Sequence, residues 1–339
     1  MSVNLRNIVG NSELKERISD EINNKIFSHA YIIEGRAGSG RHTLALSISA
    51  ALSCLSKGEI PCGTCKNCQK IMSVKSPDIV TLGLENDKVT IGVESIRRIK
   101  EDMALAPNDL DVKVYIIEDA DKMTVQAQNA FLLSLEEPPS YVVFFLICEN
   151  SNLLLETVRS RAPILRLQRL CDDMVEKYLL QNDKRAGQLK DEDATAFQTL
   201  IFASDGCIGK AISLLDAKKR KALFEEREIA KKILSLLSCP SRSDIPEFIS
   251  SLGNKRADIL RCLISSQYAV RDLMLLKKTD SAPMCFFPNR EEAQELSTHY
   301  TSDSLISLYD ALRGASDELE ANSNVRLTLL NMVQKAGLI

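Results

Sequence analysis

The sequence predicts a parallel-sheet α/β domain followed by an all-helical second half. Three observations predict it. Short apolar runs rich in β-branched and aromatic residues recur up to about Leu170, helix-period stretches separate them, and beyond that point the strand signal stops. The runs cover 30–33, 79–84, 112–117, 141–147 and 164–167. Each is apolar without alternation, so both faces are covered, the pattern of parallel strands joined by helical crossovers. Crossover helices are predicted over 43–55, 94–103 and 124–135.

In the second half, 172–180, 195–202, 207–224, 228–237 and 259–276 carry helix-period apolar residues. Residues 239–246 (CPSRSDIP) read as a loop with a fresh helix start, and 277–292, with two prolines, as the longest non-helical interruption. The last helix is expected to take Asn324 as its N-cap and to stop at Gly337. The sequence carries no repeats or low-complexity tracts.

A chain of 339 residues has room for two or three domains. Its 43 basic and 46 acidic side chains leave a net charge of −3, so no global positive field draws it to nucleic acid and any such contact is local. The polar start lacks a secretory core, and no run reaches the roughly 18 apolar residues of a membrane span. The cytoplasm is the expected location.

Four of the ten cysteines, Cys54, Cys62, Cys65 and Cys68, share the stretch CLSKGEIPCGTCKNC with spacing C-x7-C-x2-C-x2-C. In a cytoplasmic chain such a cluster favours metal over disulfides. Four thiolates make the closed tetrahedral site of structural Zn²⁺, which braces a fold and performs no reaction. A ferredoxin-type iron–sulfur run needs a cysteine where Met72 stands. Unpaired buried thiols would be a poor account of such close spacing. The other six (Cys148, Cys171, Cys207, Cys239, Cys262 and Cys285) lie among apolar neighbours and are expected to be small core side chains.

The stretch GRAGSGRHT (35–43) has the spacing of a phosphate-binding loop. Gly35, Gly38 and Gly40 follow a predicted strand and precede a predicted helix, the setting in which backbone N–H groups turn inward around phosphates. A plain glycine turn is the alternative. Arg41 stands where such a loop needs Lys, and His42 where a hydroxyl would hold Mg²⁺. Thr43 does not replace that hydroxyl, because one step along a helix rotates the side chain by about 100°. Glu118–Asp119 ends a strand where Asp–Glu would serve metal and water, but in reversed order. A solvated acidic turn explains that pair equally well. These residues argue against ATP–Mg²⁺ binding and more strongly against hydrolysis.

The cysteine knot after the first loop-following helix, then KVYIIEDADKMT (113–124), NAFLLSLEEPP (129–139) and TVRSRA (157–162), closely resembles bacterial DNA polymerase III clamp-loader subunits, members of the AAA+ family. The ending DALRGASDELEANSNVRLTLLNMVQ (310–334) extends the resemblance to the helical half. It implies an AAA+-type P-loop domain over 1–168 with a zinc module at 54–68, a helical lid over 169–225 and a helical collar for oligomerisation over 226–339. Within the family the chain is similar to the delta-prime type more than to the ATP-hydrolysing gamma/tau type. The loop is degenerate, Gly209 takes the place of a nucleotide-sensing Arg, and Cys148–Glu149–Asn150 replaces a Thr-rich segment.

Ser160–Arg161 matches the family's Ser-Arg-Cys motif, with Ala162 in place of Cys. The resemblance implies that Arg161 is a trans arginine finger for a neighbouring subunit's ATP site. Arg159 lies beside it outside the aligned position, and without the motif a solvated surface arginine would be the simpler account. The implied partners are gamma/tau and delta subunits in a hetero-oligomeric ring, the sliding clamp indirectly, and primed DNA within the assembled holoenzyme. Arg97, Arg98 and Lys100 are candidate phosphate contacts, although with Glu94, Glu101 and Asp102 nearby the charges alone favour a solvated face.

Overall fold

Unbroken apolar runs become the strands of one sheet, and their flanking helices cover both of its faces. The computed structural model describes residues 2–84, 89–238, 249, 255–279 and 284–336. In chain order the first half contains β1 (Ser2–Val3), α1 (Ser12–Asn23), β2 (Ala30–Glu34), α2 (Arg41–Leu52), β3 (Glu59–Ile60), α3 (Lys66–Met72) and β4 (Ile79–Leu82). It continues with α4 (Val93–Asp102), β5 (Lys113–Ile117), α5 (Val125–Glu136), β6 (Val142–Cys148), the short α6 (Glu156–Arg159), β7 (Ile164–Arg166) and α7 (Asp172–Asn182). Five strands make an all-parallel sheet in the order β4-β5-β6-β2-β7, and β1 pairs with β3 in a separate parallel ladder.

The period of two sends alternate strand residues to opposite faces, and here both faces are apolar. Ile33, Phe145 and Leu165 share one core with Leu44 and Ile48 of α2. Ile32, Tyr115 and Phe144 share the other with Ile96 of α4 and Phe131 of α5. Phe131 meets Phe144 edge-on with centroids 5.1 Å apart, a favoured aromatic geometry. The strand ends β2, β5 and β6 lie side by side in register, with Ile33 opposite Ile147 and Ile117 opposite Leu146. Loops leaving their C-terminal ends therefore converge, which positions the candidate site.

The described chain divides into two units, Met1–Asn182 with Gly206–Lys210, and Asp183–Asp205 with Ala211–Ile339. The helices that follow α7 are α8 (Lys184–Glu192), α9 (Ala194–Ala203), α10 (Ile208–Leu214), α11 (Ala217–Ser238), α12 (Arg256–Leu276), α13 (Arg290–Thr298), α14 (Ser302–Glu320) and α15 (Val325–Lys335). Ile259, Leu263, Val270 and Leu273 of α12 form a helix-period stripe that packs with Leu305, Leu308, Leu312 and Leu319 of α14. Asp272, fully buried on α12, accepts the N–H groups of Cys285, Phe286 and Phe287 at 2.8, 2.7 and 3.2 Å and pins that irregular segment to the helix.

Several expectations change. The stretch 207–224 is two helices, because Asp216 accepts the N–H groups of Lys218 and Lys219 at 3.0 and 3.1 Å and starts α11 afresh. α11 then runs without a break through the region expected to begin a helix at 228. Asn324 does cap α15, accepting the Leu327 N–H at 3.2 Å. The loop expected at 239–246, the stop at Gly337 and Cys239 lie outside the described residues. Of the other scattered cysteines, Cys148, Cys207 and Cys262 are buried, whereas Cys171 is exposed and Cys285 is half-buried. Cys171 is not a core side chain, because it stands in the turn that opens α7.

Candidate functional site

The glycine loop connects β2 to α2. Glu34, the last residue of β2, accepts from Arg166 Nε at 2.7 Å and from the Ser151 hydroxyl at 3.1 Å. Burial opposes its charge, but the Arg166 guanidinium and the Ser151 N–H and hydroxyl outweigh it and hold the carboxyl below its usual range. Sequence reasoning passed over this brace. Gly38 and Gly40 have φ of +78° and +96°, left-handed backbone that a side chain would strain. Gly35, by contrast, is packed tightly, since a Cβ there would lie 2.7 Å from Ser39 Oγ. Gly40 is the N-cap of α2, so the helix starts earlier than expected and Arg41, His42 and Thr43 form its first turn.

Across the strand ends, His42 Nδ1 makes a short contact with Glu118 Oε1. The loop residue and the strand-end residue expected from the sequence to stand at metal-binding positions are an imidazole and a carboxylate that engage each other. Asp119 is not part of that pair. It has φ +49°, and its carboxylate lies 3.5 Å from Lys122 Nζ. Arg41 approaches Glu149 at 3.8 Å, and its Nη1 is buried without a hydrogen-bond partner. Thr43 is half-buried in the same turn. Asp121, another residue missed in the sequence, accepts the N–H groups of Glu149 and Asn150 at 3.0 and 3.3 Å and fixes the segment after β6. Burial pushes the Cys148 thiol up to about 12, so it stays neutral beneath this segment.

The four clustered cysteines come together as their spacing predicts, with all four sulfurs within 4.8 Å of one another. Cys54 follows α2, and Cys65 is the N-cap of α3, its sulfur accepting the Cys68 N–H at 3.5 Å. Cys54 and Cys62 sulfurs likewise accept the N–H groups of Cys62 and Cys65, at 3.4 and 3.3 Å. The Thr64 hydroxyl foremost, then the N–H groups of Cys65 and Thr64, hold the Cys62 thiol down at about 6, whereas burial pushes Cys68 up. Zn–S bonds of about 2.3 Å would place tetrahedral sulfurs about 3.8 Å apart, inside the 4.8 Å within which these four lie. The donor set fits a thiophilic metal and is compatible with Zn²⁺.

Arg161 follows α6 and keeps about a third of its side chain exposed. Its Nη2 lies 2.7 Å from Glu136 Oε1, and its Nη1 donates to the Thr157 carbonyl at 2.9 Å. Ala162, where the motif has Cys, is fully buried, so the substitution is absorbed in the core while the arginine stays at the surface. Arg159 engages Asn152 at 3.2 Å. On α4, Arg97 pairs with Glu94 at 3.5 Å, while Asp102 turns inward to the buried Lys113 at 2.9 Å.

A family model described as DNA polymerase III, delta subunit, matches residues 10–171. The delta' subunit of DNA polymerase III from Bacillus subtilis is 34% identical over 176 residues, 51% of this chain and 53% of that protein. The Escherichia coli delta' subunit is 37% identical over 137 residues, 40% of this chain and 41% of that protein. The chain is thus similar to subunits of DNA polymerase III, in keeping with the resemblance of its motifs to clamp-loader subunits. Both branches of this clamp-loader family are represented among its relatives, because the Bacillus subtilis tau subunit is 24% identical over 336 residues, 94% of this chain and 59% of that protein. The chain thus spans 41% to 59% of the length of these relatives. Among its described residues no helix is long and apolar enough to cross a membrane.

Proposed function

We propose that the chain is a delta-prime-type, non-hydrolysing subunit of a DNA polymerase III clamp loader. One observation carries the reading: His42 and Glu118, at the two metal-binding positions of the loop and the strand end, are engaged with each other. Arg41 and Gly209 add to it, since a guanidinium replaces the compact ammonium of the loop and no side chain is available at 209 to sense a phosphate. The subunit joins gamma/tau-type and delta subunits in a ring, presents Arg161 to a neighbour's ATP site, and helps load the sliding clamp onto primed DNA in the cytoplasm. Residues 169–225 act as its lid and 226–339 as its collar. Cys54, Cys62, Cys65 and Cys68 hold structural Zn²⁺, which braces the connection between α2 and α3.

The test is reconstitution. ATP turnover is measured for the purified chain and for a loader assembled with and without it, alongside clamp loading on primed DNA. The expected result is no turnover by the chain alone and loss of clamp loading when it is omitted. Turnover by the isolated chain would favour the second reading, an ATP-hydrolysing gamma/tau-type subunit. The tau alignment over 94% of the chain is the observation on that side.

A further inference from the structure

The phosphate-type loop is in contact with backbone from far along the chain. The Gly209 N–H donates to the Gly38 carbonyl at 2.8 Å. The approach is so close that neither residue tolerates a side chain. A Cβ on Gly209 would lie 2.9 Å from Gly38 Cα and 3.0 Å from its carbonyl oxygen, and a Cβ on Gly38 would lie 2.7 Å from Lys210 N. The same short segment is anchored at its other end. The Leu170 N–H donates to the Gly206 carbonyl at 3.3 Å, and a Cβ on Gly206, whose φ is +71°, would lie 2.4 Å from the Leu170 carbonyl oxygen. Between the two anchors Cys207 is buried. Segment 206–210 packs with the α/β unit, although the residues on either side of it belong to the helical one.

We propose that residues 206–210 form a backbone clasp on the glycine loop, with Gly209 as the residue that permits closure. Absence of a side chain at 209 is then a requirement of the closed loop as well as the loss of a sensing group. In the clasped state the Gly38 carbonyl is committed to Gly209, and the loop is held in the conformation set by Gly38 and Gly40. Any side chain at 209 meets loop backbone rather than a yielding side-chain tip, so the segment or the loop must move. This deepens the proposed non-hydrolysing role, and it rests on the glycine contacts rather than on the His42–Glu118 pair.

Amide hydrogen exchange on the full chain tests the clasp. In the unaltered protein the Gly209 amide is expected to exchange at least about tenfold more slowly than an unstructured peptide amide. In Gly209→Ala the loop amides of residues 36–40 are expected to exchange about tenfold faster than in the unaltered chain. Gly187→Ala is the control, because a Cβ there meets nothing within 4 Å. An unprotected Gly209 amide in the unaltered chain overturns the proposal, and this arm decides the matter even if Gly209→Ala fails to fold. Unchanged loop exchange in a folded Gly209→Ala also overturns it. Turnover of ATP by a chain whose Gly209 amide is protected would sink the non-hydrolysing assignment and leave the clasp standing.

Discussion

Replacing Arg161 by Ala separates a surface arginine from a finger that works in a neighbour's site. In the isolated chain Arg161 is held by Glu136 at 2.7 Å, with 36% of the arginine side chain and 46% of the glutamate side chain exposed. An ion pair this exposed contributes about 0.2–1 kcal/mol, so moving the guanidinium away from Glu136 costs little. A trans arginine finger contributes roughly 10³–10⁵ to phosphoryl transfer, about 4–7 kcal/mol. The second magnitude exceeds the first several-fold, so the pair with Glu136 is too weak to hold Arg161 back from the proposed finger role. The assay is pre-steady-state phosphate release from a reconstituted loader, which resolves a defect confined to a single ATP site. With the proposed finger role, Arg161→Ala is expected to abolish one phosphate-release phase while leaving the fold of the chain unchanged, and Glu136→Ala is expected to leave every phase in place. Phosphate-release phases in Arg161→Ala indistinguishable from the unaltered loader would refute the finger.

Further outcomes follow from other contacts. Cys68→Ser is expected to lose bound zinc, which metal analysis of protein purified under reducing conditions without chelator should find at about one per chain in the unaltered protein; zinc-free unaltered protein would reject the site. Asp272→Ala leaves the buried N–H donors of Phe286 and Phe287 and the half-buried one of Cys285 without their carboxylate and should destabilise the helical unit by about 3–5 kcal/mol in denaturant unfolding; a shift under about 1 kcal/mol would count against that role. The folded-state pKa of Glu34 is lowered, so its stabilisation is fully present above the unfolded value of about 4.3 and is lost as pH falls through the folded one. The melting-temperature gap between the unaltered chain and Glu34→Gln should therefore be constant above about pH 5 and shrink on further acidification; a gap that ignores pH would count against it.

The sheet was legible because its strands are apolar on both faces, a pattern that survives in a run such as VVFFLIC without any knowledge of partners. β1 and β3 were not, since strands of two residues carry no period. α1 was missed because Ile18 is its one fully buried side chain and the apolar stripe is thin. α14 does display its stripe at Leu305, Leu308, Leu312 and Leu319, and the Thr301–Ser304 capping box would have marked its start. The break between α10 and α11 was hidden because Leu214 and Leu215 continue the apolar pattern up to Asp216.

At the site, glycine spacing and cysteine spacing were legible because both depend on short range. The engagement of His42 with Glu118 joins residues 76 apart in sequence, and the sequence showed only that each was unsuited to its position. The Gly38–Gly209 contact involves no side chain at all, so no residue pattern announces it. Glu34 and Asp121 were overlooked for a similar reason: they act by holding loops, and isolated acidic residues in a sequence carry no sign of that work.

An equilibrium titration of the purified chain with Mg²⁺–ATP tests the central claim most directly. With His42 engaged by Glu118, no saturable binding is expected up to millimolar nucleotide, and no dependence of any residual binding on Mg²⁺. Saturable, Mg²⁺-dependent binding in the micromolar range would contradict it.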